Sequence, residues 1–390
     1  MISVENALDH LFELVKPAVA QTVPLRHAHG RVLATDVVAQ RTQPPFAASA
    51  MDGYALRATE VEPDAMFQVI GEAAAGHAFA GSVGAGQCVR IFTGAPVPEG
   101  ADFVVIQEDV TRRGSLITLG HKLGNKSHIR PAGGDFSAGD KMTAPRLLGP
   151  ADIALLASMN IADVPVSRRP NVAILATGDE LVAPGETPGP DQVIASNSYG
   201  LAAQLESLGA TPRLLPIARD TETSLMTAFE LALDADLIIT IGGASVGDHD
   251  LVAGVAAKMG MAQSFYKVAM RPGKPLMAGT LRDVPMIGLP GNPVSALVCG
   301  TIFVAPVVRA MLGLGRTTAP RQRAVLAKAL DQNGPREHYM RATLDADGLH
   351  AFDRQDSSLL TVLAGANALL VRPPHDPAQP VGALVRYIAL

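Results

Sequence analysis

LIITIGGASVGDHD (residues 237–250), YKVAMRPGKP (266–275) and MIGLPGNPVSA (286–296) follow one pattern. Each breaks a run of apolar or β-prone residues with Gly and Pro plus charged or amide side chains. An apolar run of this length is how a strand buried on both faces reads, and in an open α/β sheet the ligand crevice lies beyond the carboxyl ends of such strands. The three breaks are therefore expected on one binding edge.

Upstream, from Asn171, strand-like NVAILATGDEL and PRLLPIARD alternate with helix-like SYGLAAQLESLGA and TSLMTAFELALDA, which predicts βαβ units and a parallel sheet. Gly209 stops one helix, and Asp220 sits where the next needs an N-cap. After the opening helix the first 170 residues are rich in short β runs split by Gly and Pro, expected as antiparallel hairpins, with a helix, ADIALLASMN, after Pro150. After Arg316, RAVLAKAL, HYMRATL, ANALLVRP and GALVRYIAL predict a small all-β domain.

At 390 residues the chain exceeds a single core. Its 32 Lys and Arg against 37 Asp and Glu give a formal charge of -5, so no global charge favours nucleic acid or a membrane surface. Only Cys88 and Cys299 occur, without a C-x-x-C, which points to a reducing cytoplasm. The N-terminus carries acidic residues where a secretory signal needs a basic start, and Ala7, Leu8, Leu11, Phe12 and Val15 mark one helical face instead. The uncharged span 284–308 is broken by Pro and Gly, so NPVSALVCGTIFVAP is expected as a short buried helix beginning at Pro293, not a membrane span.

Each break in the opening stretches has a chemical reading and a plainer one. Gly242, Gly243 and Ser245 could bring backbone amides to a phosphate at a helix N-terminus, or only make a tight turn. Lys267, Arg271 and Lys274 suit a polyanion; if 267–271 is a strand, Lys267 and Arg271 share a face, as they would on a solvated edge. Pro290, Gly291 and Asn292 lead into a helix whose first amides are expected to be free. Glu180, Asp220 and Asp250 each follow a predicted strand, and three carboxylates on one edge suit Mg²⁺ held jointly with substrate phosphate. The ten His show no metal-ligand spacing, and no Ser, His, Asp grouping can be assembled.

Taken in order, SAMDGYAL (49–56), IFTGAPVPEGAD (91–102), RPAGGD (130–135), LATGDEL (175–181), GGASVGDHD (242–250), VAMRPGKPL (268–276) and LPGNPVSAL (289–297) resemble the molybdopterin molybdenumtransferase family over essentially the whole chain. That family includes bacterial molybdenum-inserting enzymes and the C-terminal domain of gephyrin. The resemblance implies an α/β multidomain chain: β-rich N-terminal domains (1–45 with 137–168, and 46–136), a three-layer α/β/α domain with a mostly parallel sheet (169–316) and a small β-barrel-like C-terminal domain (317–390). It implies a homodimer in which the α/β domain of one chain faces the C-terminal domain of the other. It further implies a reaction in which adenylyl-molybdopterin and molybdate are substrates, AMP leaves and Mg²⁺ assists. Transient partners would be the molybdopterin adenylyltransferase and acceptor molybdoenzymes or chaperones.

Position by position, Asp52, Thr93, Asp135, Glu180, Asp220, Asp250 and Lys267 match the family's functional positions, while Arg341 and Ser357 align with an Arg and a Ser of its C-terminal domain. Arg271 stands where some members have Lys, and Asp356 where a Gly is common. A gephyrin-like scaffold and a tungstate-specific paralogue are the alternatives.

Overall fold

The computed structural model describes residues 1–243 and 251–390; Ser245 and Asp250 lie outside them. Helix α1 (Val4–Leu14) starts at Ser3, whose hydroxyl accepts from the Asn6 amide at 3.1 Å. Its apolar stripe, Val4, Ala7, Leu8, Leu11 and Phe12, is buried in the same core as the α/β sheet, although the chain then leaves for the N-terminal sheets. Those are a four-stranded sheet, with Ala20–Pro24 and Asp163–Ser167 among its strands, and a six-stranded sheet that includes Gly53–Leu56, Met66–Ala73 and Gln87–Ile91. Most pairings there are antiparallel as expected, but they join strands distant in sequence. Among the described residues Val110–Arg113 with Leu116–Leu119 is a true hairpin of consecutive strands, and Met66–Ala73 runs parallel to Gln87–Ile91. The 13-residue connection between them gives the chain room to cross back, which a tight turn would not.

Helix α2 (Pro150–Ser158) precedes the α/β domain. There β1 (Asn171–Ala176), α3 (Asn197–Ser207), β2 (Thr211–Leu214), α4 (Glu222–Ala232), β3 (Leu237–Ile241), α5 (Leu251–Lys258), β4 (Met261–Tyr266), β5 (Met270–Arg271), β6 (Met277–Leu281) and β7 (Val284–Leu289) follow in turn. The sheet order is β2-β1-β3-β7-β6-β4, parallel through β7 and antiparallel beyond it. Alternation builds the layers: Val172, Ile174, Leu237 and Ile239 face the core of α1, α3 and the helix after β7, whereas Ala173, Leu175 and Ile238 face that of α4 and α5. Because β2 lies on one side of β1 and β3 on the other, the strand order reverses at β1, and a crevice is expected at the carboxyl ends of β1 and β3.

Helix α6 (Pro293–Met311) is longer than the sequence suggested: Gly300–Val304 takes a π-helical turn and the helix runs on through Pro306. The wider turn accommodates a ring that would otherwise meet the carbonyl four residues back. By length and composition α6 could cross a membrane, but 78% of its apolar window is buried inside the protein, as befits a core helix.

In the C-terminal domain, β8 (Gln322–Val325), β9 (Glu337–Asp345), β10 (Gly348–Ala351), β11 (Ala368–Arg372) and β12 (Leu384–Ala389) form the order β9-β11-β12-β8, with β10 on β9. A bridge between Leu326 and Leu349 brings β8 back to β10 and closes the sheet toward a barrel. β5, from the α/β domain, joins this sheet in parallel with β9. The stretch 267–271 is therefore not one strand: Lys267 has φ 73°, and the reversal it makes hands Met270 and Arg271 to the other sheet.

Arg168 fixes the entry to the α/β domain through two bonds to Asp236, at 2.8 and 2.6 Å, and the Asn171 amide donates to the same carboxylate at 2.7 Å. Burial by itself raises the Asp236 pKa, but Arg168 and Asn171 outweigh it and hold the group below the usual carboxylate value. A depressed pKa contributes stability above the unfolded value of about 3.9, and that contribution is lost as pH falls through the folded value. Asp236→Asn is expected to lose about 1–3 kcal/mol at pH 7 in urea unfolding. The gap should narrow below about pH 3.9; a gap that stayed constant to pH 2.5 would count against the charged form as its source.

Candidate functional site

At the strand-order reversal the structure has a pocket of about 320 Å³, lined by Ala176, Thr177, Glu180, Leu181, Ser196, Asn197, Ser198, Gly242, Gly291, Asn292 and their apolar neighbours. Gly242 and Gly243 have φ 96° and 64°, which lets the chain turn out of β3 against Thr177. A Cβ on Gly242 would stand 2.8 Å from the Thr177 carbonyl oxygen. Thr177 is buried, and its hydroxyl is sealed from solvent without a hydrogen-bond partner among the described residues. The Asn197 side chain donates to the Gly291 carbonyl at 2.7 Å and ties the two rims together. Glu180, Gly242, Gly291 and Asn292 thus line one pocket, while Gly243 and the buried Pro290 adjoin Gly242 and Gly291 in the chain. Thr177, Ser196, Asn197 and Ser198 were not read from sequence; the polar SNS run opening a helix was the available signal.

On the next loop Asp220 and Asp179 are joined backbone to side chain, the Asp220 amide donating to Asp179 at 3.1 Å and the Asp179 amide to Asp220 at 3.4 Å. Arg219 Nη1 donates to the carbonyls of Asp179 and Leu181, both at 3.0 Å, and so braces the loop that carries Glu180. Glu180 and Asp220 lie on the loops after neighbouring strands and offer only oxygen donors, the class that Mg²⁺ takes. Among the described residues no group of three metal-ligating side chains is assembled.

The cations line the junction with the C-terminal domain. Ile2 bridges Val268, receiving the Ala269 amide at 2.8 Å and donating to the Lys267 carbonyl at 3.2 Å. The Lys267 ammonium lies over the Tyr266 ring, 5.0 Å from its centre. Lys274 and Arg271 are exposed, while Arg341 on β9 is fully buried. Nη2 of Arg341 donates to the Asp356 carbonyl at 3.2 Å, and its Nε and Nη1 are sealed with no partner among the described residues. Burial and then the Arg271 charge push the Arg341 pKa down to about 10, with Asp356 pulling the other way. Such a group remains charged at neutral pH.

Ser357 is placed beside α6, where its carbonyl accepts the Val294 amide at 3.0 Å. The expectation of free first-turn amides is corrected here, since Pro293 has none to give and the C-terminal domain takes that of Val294. Asp52 and Thr93 are brought together in the N-terminal half: the Thr93 amide and hydroxyl donate to Asp52 at 2.8 and 2.7 Å and hold its carboxyl below the usual range. Asp135 is placed by its own amide on the Gln43 carbonyl at 3.0 Å. No hydrogen bond or ion pair among the described residues connects the side chains of these three to the α/β domain.

A pocket at the strand-order reversal, with a junction to the C-terminal sheet that carries Lys267, Arg271, Lys274 and Arg341, defines a multidomain α/β protein. Three family models match in chain order: the MoeA N-terminal region, domains I and II, at residues 2–160; a probable molybdopterin-binding domain at 173–310; and the MoeA C-terminal region, domain IV, at 323–390. The molybdopterin molybdenumtransferase of Nostoc sp. is 37% identical, over 96% of this chain and 90% of its own, and that of Bacillus subtilis is 33% identical, over 100% and 94%. A crystal structure of the molybdopterin biosynthesis MoeA protein of Pyrococcus horikoshii superposes with a TM-score of 0.87 at 26% identity, covering all of both chains. The chain belongs to the molybdopterin molybdenumtransferase family.

Proposed function

We propose that the chain inserts molybdenum from molybdate into adenylyl-molybdopterin with release of AMP, acting as a cytoplasmic homodimer. Family membership makes it a transferase of molybdenum cofactor biosynthesis. The observation that carries the finer reading is the pairing of two unlike receptors within one chain: a half-polar pocket with a sealed Thr177 hydroxyl, and the buried Arg341 guanidinium with two nitrogens lacking acceptors. The first suits a heterocycle with hydrogen-bonding edges; the second suits a tetrahedral oxyanion.

In this reading Thr177, Ser196, Asn197 and Asn292 orient the heterocycle, and the backbone at Gly242, Gly243 and Gly291 lets it approach closely. Lys267, Arg271, Lys274 and Arg341 hold molybdate and the phosphoanhydride near one another and offset charge as the anhydride breaks. Glu180 and Asp220, with Asp250, would hold Mg²⁺, whose chemistry is to neutralise phosphate charge. Ser357 positions the C-terminal loop on α6 through its backbone. Asp52, Thr93 and Asp135 are assigned to the same reaction from the opposite face of the dimer. The molybdopterin adenylyltransferase would supply the substrate, and acceptor enzymes or chaperones would take the product.

The test is AMP release from adenylyl-molybdopterin by purified protein, with and without molybdate and Mg²⁺. Molybdate-dependent release with active cofactor appearing is the expected outcome. Binding without turnover, or turnover with tungstate alone, would overturn it.

A further inference from the structure

Among the residues near the cations, one is used by nothing described above. In the register of the C-terminal sheet Arg271 of β5 pairs with His338 of β9, and His338 pairs with Arg372 of β11. Three adjacent strands thus carry Arg, His and Arg in one cross-strand row, the two arginines about 10 Å apart at two strand spacings. Their surroundings differ. Arg372 is buried and spent: Nε pairs with Asp376, and Nη2 donates to the carbonyls of Asp331 at 3.0 Å and Pro377 at 2.9 Å. Arg271 is exposed, and its guanidinium makes no hydrogen bond or ion pair among the described residues. Between them His338 is only 7% exposed, with Nε2 sealed and unpartnered among the described residues.

We propose that His338 is a positioning residue of the oxyanion half of the site, a neutral spacer that packs against Arg271 while leaving its guanidinium free for the anion. The inference rests on the reading of Arg271 as an oxyanion-binding residue. A carboxylate at this position would pair with Arg271 and use up the charge the anion needs; a lysine would repel both arginines and Arg336, whose Nη1 lies 3.5 Å from the Met270 carbonyl. An imidazole here stays uncharged. Burial, followed by the charges of Arg271, Arg341, Arg372 and Arg336, lowers the His338 pKa to about 3, so the row keeps the same charge throughout the neutral range.

The experiment measures molybdate KM, kcat and Tm on the full chain for H338Q, H338E, R271M and the double variant H338E/R271M. H338Q, the neutral replacement, is expected to keep molybdate KM within about threefold, while H338E raises it by about 10-fold to 100-fold with kcat changed by less than about threefold. In the R271M background the added effect of H338E should shrink to less than about twofold, because its partner is gone. A parental KM in H338E, or the same increase with and without Arg271, would overturn the inference. So would a loss of about tenfold or more in H338Q at unchanged Tm, which keeps the idea testable even where H338E does not fold. An unchanged KM in R271M would instead remove Arg271 from the oxyanion site and take down the reading beneath it.

Discussion

Arg341→Met is expected to raise molybdate KM by about 100-fold to 1,000-fold while Tm stays level or rises. Both halves follow from the guanidinium being fully buried with Nε and Nη1 unpartnered and only a carbonyl on Nη2. A buried cation that bonds one carbonyl and has the Asp356 charge near it, but forms no ion pair among the described residues, has lost its hydration and gained little in return. An apolar side chain of similar length is therefore expected to be neutral or stabilising there, as replacing buried ionic groups commonly is. For an oxyanion the same group is valuable, since charge-assisted bonds in a dry site are strong and removing one partner costs about 3–5 kcal/mol. Calorimetric titration with molybdate and a thermal melt of the same sample separate the two effects. A fall in Tm of several degrees with molybdate binding intact would make Arg341 a structural residue and move the oxyanion elsewhere.

The second large effect should come from Gly242→Ala. At φ 96° an alanine meets the left-handed penalty of about 1–2 kcal/mol, and its Cβ would lie 2.8 Å from the Thr177 carbonyl, a backbone atom that cannot swing aside. The strain falls where β3 meets both its neighbours, because the Gly242 amide donates to the Leu289 carbonyl of β7 at 3.1 Å and the Thr177 amide, just past β1, to the Ile241 carbonyl of β3 at 3.1 Å. Relief therefore requires Thr177 to move into the pocket it lines. We expect a loss of about 2–3 kcal/mol in stability together with at least about a 10-fold rise in KM for adenylyl-molybdopterin, and little change in molybdate affinity. A matching loss of molybdate binding would mean that the two receptors are one site.

Much of the architecture is legible before any tertiary contact is known. The runs NVAILA, LIITI and VPMIGL, short and bounded by Gly, Pro and polar residues, read as strands buried on both faces, and the segments between them read as helices. Their alternation leaves little choice but a parallel sheet, and with it a crevice at the carboxyl ends. Glu180, Gly242, Gly291 and Asn292 could be placed on that edge for this reason. Thr177, Ser196, Asn197 and Ser198 could not, because small hydroxyl and amide residues next to a helix start are equally common as caps. Nor could the fate of α1, whose stripe says only that it is buried, not that it crosses to the α/β core.

The oxyanion receptor shows the division most clearly. Sequence alone determined the inventory of cations and, from strand period and turn residues, the sheets that carry them, because these follow from interactions spanning a few neighbouring residues. Tertiary structure alone decided that Lys267 turns with a positive φ, that Met270 and Arg271 leave their own domain's sheet to pair with Glu337 and His338 on β9, and that Ser357 takes the Val294 amide. Those pairings join residues tens of positions apart, and whether a guanidinium is exposed like that of Arg271 or buried like that of Arg341 depends on what the rest of the chain packs around it. Burial sets the strength of a charge, and burial is a property of the assembled chain.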